Sequence, residues 1–199
     1  MTTPPTSLRE RARGAVRDEV SRQAWSLFAE QGFEHTTVDQ IAEAAGMSRR
    51  TFFRYYDSKE ELVLERLLES GEAVVEAMRG RPADESAWAA LRRALDAIVT
   101  VQETHAERSR PLQLMLHREP VLRSTVTEQH RRWLEALTPL VGERMPRRRS
   151  HRGPDVRAAA LTSSALACLE IAQATWAADP TVHLAPLLDE LMGAVSPLA

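Results

Sequence analysis

The chain has 199 residues, 43% of them hydrophobic and 27% charged, with a formal net charge of −2. That supplies a core for one ordinary soluble domain, or for a small module joined to a larger one. The near-neutral balance also means that any nucleic-acid role must rest on local charge. The single cysteine excludes an internal disulfide framework and a multi-cysteine metal site, which fits a reducing cytosol.

The opening residues MTTPPTSLRERARGAVRDEV contain no apolar stretch of signal-peptide type. Residues 1–12, with two prolines among polar neighbours, read as a disordered arm. Val16, Val20, Ala24, Leu27 and Phe28 then recur at helical spacing, predicting an amphipathic helix over 13–31 that stops at Gly32. In TTVDQIAEAAGMS, Thr37 and Gln40 form a capping box, Val38, Ile41, Ala42 and Ala45 make one apolar face, and Gly46 permits a tight turn. Ser48 caps a second short helix expected over 49–56. Ser58 with Glu61 makes another capping box and opens a long helix that Pro82 ends.

Further helices are expected at about 84–103, 106–117, 120–145, 155–178 and 182–195, with a polar loop over 146–153. Strand signals are nearly absent, so the expected fold is all-α with about nine helices. The most apolar run, 158–178, still holds Thr162, Ser163, Glu170 and Gln173, too polar for a membrane span. A cytoplasmic location without membrane contact is expected.

Two short helices joined by a Gly-containing turn let one helix brace while the other enters a DNA major groove. The second helix begins with Ser48, Arg49, Arg50 and Thr51, where base edges are reached. Arginine pairs in bidentate fashion with guanine, and a threonine methyl packs on thymine. Thr37 places a hydroxyl and free backbone N–H groups where a phosphate can dock. Over 49–59, Arg49, Arg50, Arg54 and Lys59 face Asp57 as the lone acid, so the positive charge is local. Phe52 and Tyr56, four apart, are expected to pin the helix to the core, leaving Tyr55 as the aromatic DNA contact.

The stretch GMSRRTFFRYYDSKEEL, with FAEQGFEHTTVDQIAEAAGMS before it, resembles the DNA-binding domain of the tetracycline-repressor (TetR) family of bacterial regulators. The resemblance runs from about residue 15 to 62. It implies that Arg49, Arg50 and Thr51 face bases and that Thr37, Tyr55 and Lys59 hold phosphates. Phe53 stands where that family usually has a tyrosine that touches phosphate, so packing is expected of it instead. Lys59 is the only lysine among 26 basic residues. A cation at a helix start opposes the macrodipole, so a phosphate clamp explains it better than stability does.

The implied organisation is a DNA-binding domain over 13–58 and a larger ligand-binding and dimerisation domain over 59–199. The implied partners are a palindromic double-stranded operator, a small-molecule effector and a second copy of the chain, with no cofactor, no metal and no catalytic role. A helical enzyme or cofactor carrier, or an adaptor without DNA affinity, is the alternative, and no catalytic motif supports the first.

The nearly chargeless run 158–178 and the leucine stripe that follows predict an isologous helical interface using Ile171, Trp176, Leu184, Leu187, Leu188 and Leu191. Trp88, Leu91, Met115, Trp133 and Leu137 each read first as core, yet together they suit the wall of a plastic apolar cavity, with His117 and Cys168 beside them. The phrases REPVLRSTVTEQHRRWLEAL and AQATWAADP resemble a subgroup related to the mycofactocin-system regulator. That resemblance implies an acyl-CoA-like ligand, with Arg108, Arg110, Arg118, His117 and His130 as candidate partners of its anionic end. The run 147–149, three arginines, is either a second DNA contact or a solvated loop.

Overall fold

The computed structural model describes residues 7–146 and 156–197. Among them are ten α-helices and no strand: α1 (Leu8–Gln31), α2 (Val38–Ala44), α3 (Arg49–Phe52), α4 (Lys59–Arg79), α5 (Ala87–Ala94), α6 (Asp96–Thr104), α7 (Ala106–Arg118), α8 (Arg123–Glu143), α9 (Val156–Ala178) and α10 (Leu184–Val195). A short 3-10 turn, Pro120–Leu122, precedes α8. The nine expected helices are all present, the fifth divided at Leu95. There the backbone ladder admits an i+3 bond, from the Ile98 N–H to the Leu95 carbonyl at 3.1 Å.

The chain divides into two compact units, Met1–Arg66 and Leu67–Ala199. This boundary falls inside α4, later than the expected break before Lys59. Leu8 to Ala12 are already helical, so the expected arm is shortened at its C-terminal end, while residues 1–6 lie outside the described residues. So do residues 147–155, with the triple-arginine run and most of the expected polar loop. Among the described residues no helix is long and apolar enough to cross a membrane, and no group of His, Cys, Asp and Glu is placed to share a metal ion.

The first unit closes around Val20, Ala24, Phe28, Phe33, Ile41, Phe52 and Tyr56, all buried. The apolar period of α1 thus meets the faces of α2 and α3 as the spacing requires. Phe28 stacks obliquely on Phe33 with ring centres 5.0 Å apart, and Phe52 lies 5.6 Å from Tyr56. The Tyr56 hydroxyl donates to the Arg17 carbonyl at 3.3 Å, and the Arg17 guanidinium covers the Tyr56 ring while pairing with Glu65 at 2.8 Å. Burial raises the Tyr56 phenol well above its ordinary value, so it remains a donor at any physiological pH.

The second unit has one apolar core into which α5, α8, α9 and α10 send Trp88, Leu91, Trp133, Leu137, Leu166, Trp176, Leu184 and Leu188. Helix α10 is fixed at three points. The Glu103 carboxylate accepts its first N–H groups from Leu184 (2.8 Å) and Ala185 (3.4 Å). Arg92, with its side chain only 5% exposed, bonds to Asp189 on α10 and Asp96 on α6, both at 2.5 Å. The Trp88 indole N–H donates to the carbonyls of Met192 (3.2 Å) and Ser196 (2.9 Å) at the far end.

These placements correct part of the expected interface. Trp176, Leu184 and Leu188 are at most 1% exposed and belong to the chain's own core. Leu187 and Leu191 are half-buried and pack against that core, while Ile171 is 55% exposed. Leu188→Arg should therefore unfold the second unit, because the charge would have no partner inside. Leu188→Ala should cost about 2–5 kcal/mol. Urea denaturation followed by circular dichroism measures both, and a Leu188→Arg chain that stays folded would return Leu188 to the surface.

Candidate nucleic-acid interface and effector positions

Helix α2 begins at Thr37, whose hydroxyl accepts the Gln40 N–H at 3.2 Å while the Gln40 side chain accepts the Thr37 N–H at 2.8 Å. Both halves of the expected capping box are present. Gly46, at φ 67°, closes the helix, and the Met47 N–H reaches back to the Ala42 carbonyl at 2.9 Å. A residue with a Cβ would be strained in that backbone conformation. Ser48 then caps α3, accepting the Thr51 N–H at 3.2 Å and sharing a hydroxyl contact of 2.9 Å with Thr51.

Regular α-helix in α3 ends at Phe52, shorter than expected, and the chain continues to Tyr56 by tighter bonds such as Tyr55 N–H to the Phe52 carbonyl at 2.8 Å. Thr37, Ser48, Arg49 and Arg50 are exposed, with Thr51, Tyr55 and Lys59 half-buried. Arg50 has no hydrogen-bond or ion-pair partner among the described residues. Arg49 pairs with Asp39 on α2 at 2.8 Å, with both side chains 62% exposed, and its guanidinium lies 5.5 Å from the Phe53 ring centre. An exposed pair of this kind contributes about 0–1 kcal/mol and exchanges easily for another anion. Phe53 does not pack in the core. It is 43% exposed and serves as the flat surface under Arg49. The guanidinium groups of Arg13 and Arg54 each lie just under 6 Å from the Tyr55 ring centre.

Lys59 differs most from its expected setting. Its ammonium donates to the carbonyls of Phe33 (2.6 Å) and Thr36 (3.0 Å) and sits 4.1 Å from the centre of the Phe33 ring. The charge therefore turns away from the α4 start onto the acceptors of the α1–α2 loop, and the macrodipole argument no longer makes it a burden on folding. Ser58 caps α4 by accepting the Glu61 N–H at 3.1 Å. The Glu61 carboxylate returns to the Asp57 N–H, one residue short of the reciprocal bond expected. A shallow open depression of about 360 Å³ collects Thr37, Phe53 and Lys59 with Glu34, Asp57 and Glu60.

The structure gathers most of the expected effector positions into one core and leaves Met115 and His117 outside it. Leu91, Trp133, Leu137 and Cys168 join Trp88 in one buried cluster, and Met115 is buried on α7. Trp88 is spent on holding the end of α10. His117 is exposed on α7, its Nδ1 2.7 Å from the Gln113 carbonyl, and does not line that cluster. Burial pushes the Cys168 thiol up, which leaves little nucleophilic thiolate. Arg110 is committed elsewhere. It covers the Trp176 ring at 4.4 Å and donates to the carbonyls of Trp176, Asp179, Pro180 and Val182 around the end of α9. His130 faces Glu170 at 3.7 Å. Arg108 and Arg118 are exposed. The Trp133 indole N–H is buried without an acceptor among the described residues, a condition that costs about 1–3 kcal/mol.

A capped bracing helix, a glycine turn and a short helix with two exposed arginines at its start define a helix-turn-helix module of the kind that binds duplex DNA. Residues 22–65 match the model described as bacterial regulatory proteins, tetR family, and residues 85–198 match the MftR C-terminal domain. The chain belongs to the tetR family of bacterial regulatory proteins. It is 45% identical over 92 residues to the HTH-type transcriptional regulator TcmR of Streptomyces glaucescens, a match spanning 46% of this chain and 41% of TcmR. It is 29% identical over 188 residues to MftR of Mycobacterium tuberculosis, a protein named for the regulation of mycofactocin biosynthesis, covering 89% of this chain and 88% of that one. Thermus thermophilus FadR, solved in complex with lauroyl-CoA, shares the fold at a TM-score of 0.62 and 24% identity, over 92% of this chain and 95% of that one.

The carbonyl contacts of Lys59 lead to a stability prediction. Lys59→Ala should lower the unfolding free energy of the first unit by about 1–3 kcal/mol, because hydrogen bonds from a charged donor are lost. Lys59→Met, which keeps the stem over Phe33, should recover part of that. Thermal denaturation of the three proteins checks it, and equal melting curves would leave the ammonium without a structural role.

Proposed function

We propose that the chain is a homodimeric transcriptional repressor that reads a palindromic operator with α3 and leaves it when a small apolar effector binds the second unit. The observation that carries the reading is Arg50, exposed and unpartnered beside Arg49 at the capped start of α3. Arg49 and Arg50 take guanine edges, and Thr51 lies next to them for a thymine methyl. Ser48 fixes the register of these three through its cap. Thr37, Tyr55 and Lys59 serve the phosphates, Lys59 with the one ammonium donor that Phe33 and Thr36 leave free. Because phosphate contacts carry no sequence information, these three set affinity, and the arginines set preference.

The second copy is placed on α9. Val156, Ala160, Ser163, Ala167, Ile171 and Thr175 are exposed along that helix and carry no charge, and an uncharged stripe of small residues suits close helix approach. Trp176, Leu184 and Leu188 lie inside the core, and Leu187 and Leu191 pack half-buried against it.

An acyl-CoA is the first effector class to test, given the match to the MftR C-terminal domain and the lauroyl-CoA held by FadR. Of the cations expected for its anionic end, Arg108 and Arg118 are exposed, His117 and His130 face Gln113 and Glu170, and Arg110 is held by carbonyls. The reading places the protein in the cytoplasm with its operator.

Selection of bound sequences from random duplex DNA tests the reading directly, with and without an acyl-CoA panel. Arg50→Ala should weaken operator binding by about 1–3 kcal/mol and relax one base pair in each half-site. An unaltered sequence preference would remove direct reading by that residue. Ile171→Glu should give a folded monomer in sedimentation at micromolar concentration, and a dimer that persists would move the interface off α9.

A further inference from the structure

Helix α4 passes α8 at Gly71. A methyl group on Gly71 would lie 2.0 Å from Nε1, 2.6 Å from Cε2 and 2.7 Å from Cδ1 of Trp133. The pyrrole edge of the indole thus rests on the α4 backbone, in space that only a glycine leaves open. Trp133 is 4% exposed, and its N–H finds no acceptor there, since the carbonyls of an α-helix interior already serve its own ladder. Native structures pair nearly all such buried donors with protein, water or a bound molecule.

The buried polar residues of α7 and α8 bear on what would satisfy it. Thr125, Gln129 and Trp133 follow one another at i+4 on the buried face of α8, and Gln113 is buried on α7. All are neutral. The buried cation of this unit, Arg92, is held by Asp96 and Asp189, and Arg110 is held by carbonyls around the end of α9. Trp133 lies in the apolar core of this unit, where an uncharged oxygen would meet a ready donor without the cost of bringing a charge out of water.

We propose that Trp133 is the hydrogen-bond donor for the effector, and that the effector is an apolar molecule carrying an uncharged acceptor, a ketone or thioester carbonyl, at the seam of α4 and α8. The inference rests on the ligand-responsive reading given above and names the chemistry of its site. An oxygen that accepts the N–H takes the place of the Gly71 contact, so occupancy separates the indole from α4. The same helix runs back to Lys59, beside the α3 segment, which makes one contact both the recognition point and the lever.

The test uses the full chain with isotope-labelled tryptophan, whose four indole resonances are assigned by removing one with Trp133→Phe. Lauroyl-CoA and methyl decyl ketone both carry the carbonyl, with and without the nucleotide head. S-dodecyl-CoA keeps the head and chain but has a thioether instead. Both carbonyl probes should move the Trp133 indole proton downfield, and S-dodecyl-CoA should not. A response to lauroyl-CoA alone assigns the acceptor to an acyl-CoA, and a response to both assigns it to a free carbonyl. Trp133→Phe should weaken the carbonyl probes by about tenfold and leave S-dodecyl-CoA within about twofold. Gly71→Ala, read on operator DNA, should weaken binding without any ligand; if it unfolds the chain, the resonance and affinity arms still decide.

A carbonyl probe that binds with the resonance unmoved would overturn the proposal. So would equal losses for carbonyl and thioether, or no binding by either carbonyl probe. Release of DNA by a molecule that leaves the Trp133 resonance in place would sink this inference and keep the regulator. Failure to bind any DNA would sink the regulator while an indole shift could still be seen.

Discussion

Every helix ends in carbonyls that its own ladder cannot use, and an all-helical chain must find donors for them. Positive-φ glycine serves at two of these ends, Gly32 after α1 and Gly46 after α2. At others the donors come from far along the chain. Arg144, at the end of α8, reaches the carbonyls of Met78, Arg81 and Pro82 around the end of α4. Arg110 gathers the carbonyls after α9, and the Trp88 indole takes those of α10. Lys59 does the same for the loop after α1. Satisfying a helix end and fixing a tertiary arrangement are thus one act here. The planar fork of arginine, with five donors, suits rings of diverging carbonyls, while the compact ammonium suits two carbonyls beside an aromatic face.

This constraint shapes the DNA-reading surface. Regular helix in α3 covers only Arg49 to Phe52, so its orientation comes from what surrounds it: the Ser48 cap, the buried Phe52 and Tyr56 below, and the Asp39 contact to α2. Lys59 ties the α1–α2 loop to the start of α4, and Thr37 stands at the end of that loop. The expected phosphate ligands are therefore held by the loop's own hydrogen bonds before any DNA arrives. Glu34, Asp57 and Glu60 line the same depression, so a phosphate there depends on the Thr37 and Lys59 donors, while Arg49 and Arg50 stand apart from these acids.

Local pattern made much of this legible in the sequence. Capping boxes, the stop at Gly46 and the spacing of Val20, Ala24 and Phe28 are properties of a few neighbouring residues, and the elements they predict are present. The exposed Arg49 and Arg50 follow from the same short stretch. Long-range assignments fared differently, because a sequence shows that Arg110 or Trp88 needs a partner without showing which. Both partners lie more than sixty residues away, on backbone carbonyls that carry no side-chain identity. Leucine periodicity in α10 likewise predicted an apolar face but could not say whether the chain's own core or a second copy covers it; the core takes Leu184 and Leu188. The Gly71 contact gave no signal at all, since a glycine within a helical run reads only as a weak helix former.

Besides groups of α1, the Trp25 N–H among them, the buried side-chain groups without a partner among the described residues lie midway along α8, the Trp133 N–H and the Thr138 hydroxyl. Such a distribution matters for switching. An effector shifts a two-state equilibrium only by its differential affinity, and moving it from 1:99 to 99:1 takes about 5.5 kcal/mol. Apolar contact alone discriminates poorly between two packed arrangements of the same side chains. A donor that is frustrated in one arrangement and bonded in the other discriminates well, because the cost already present in the empty state is removed on binding.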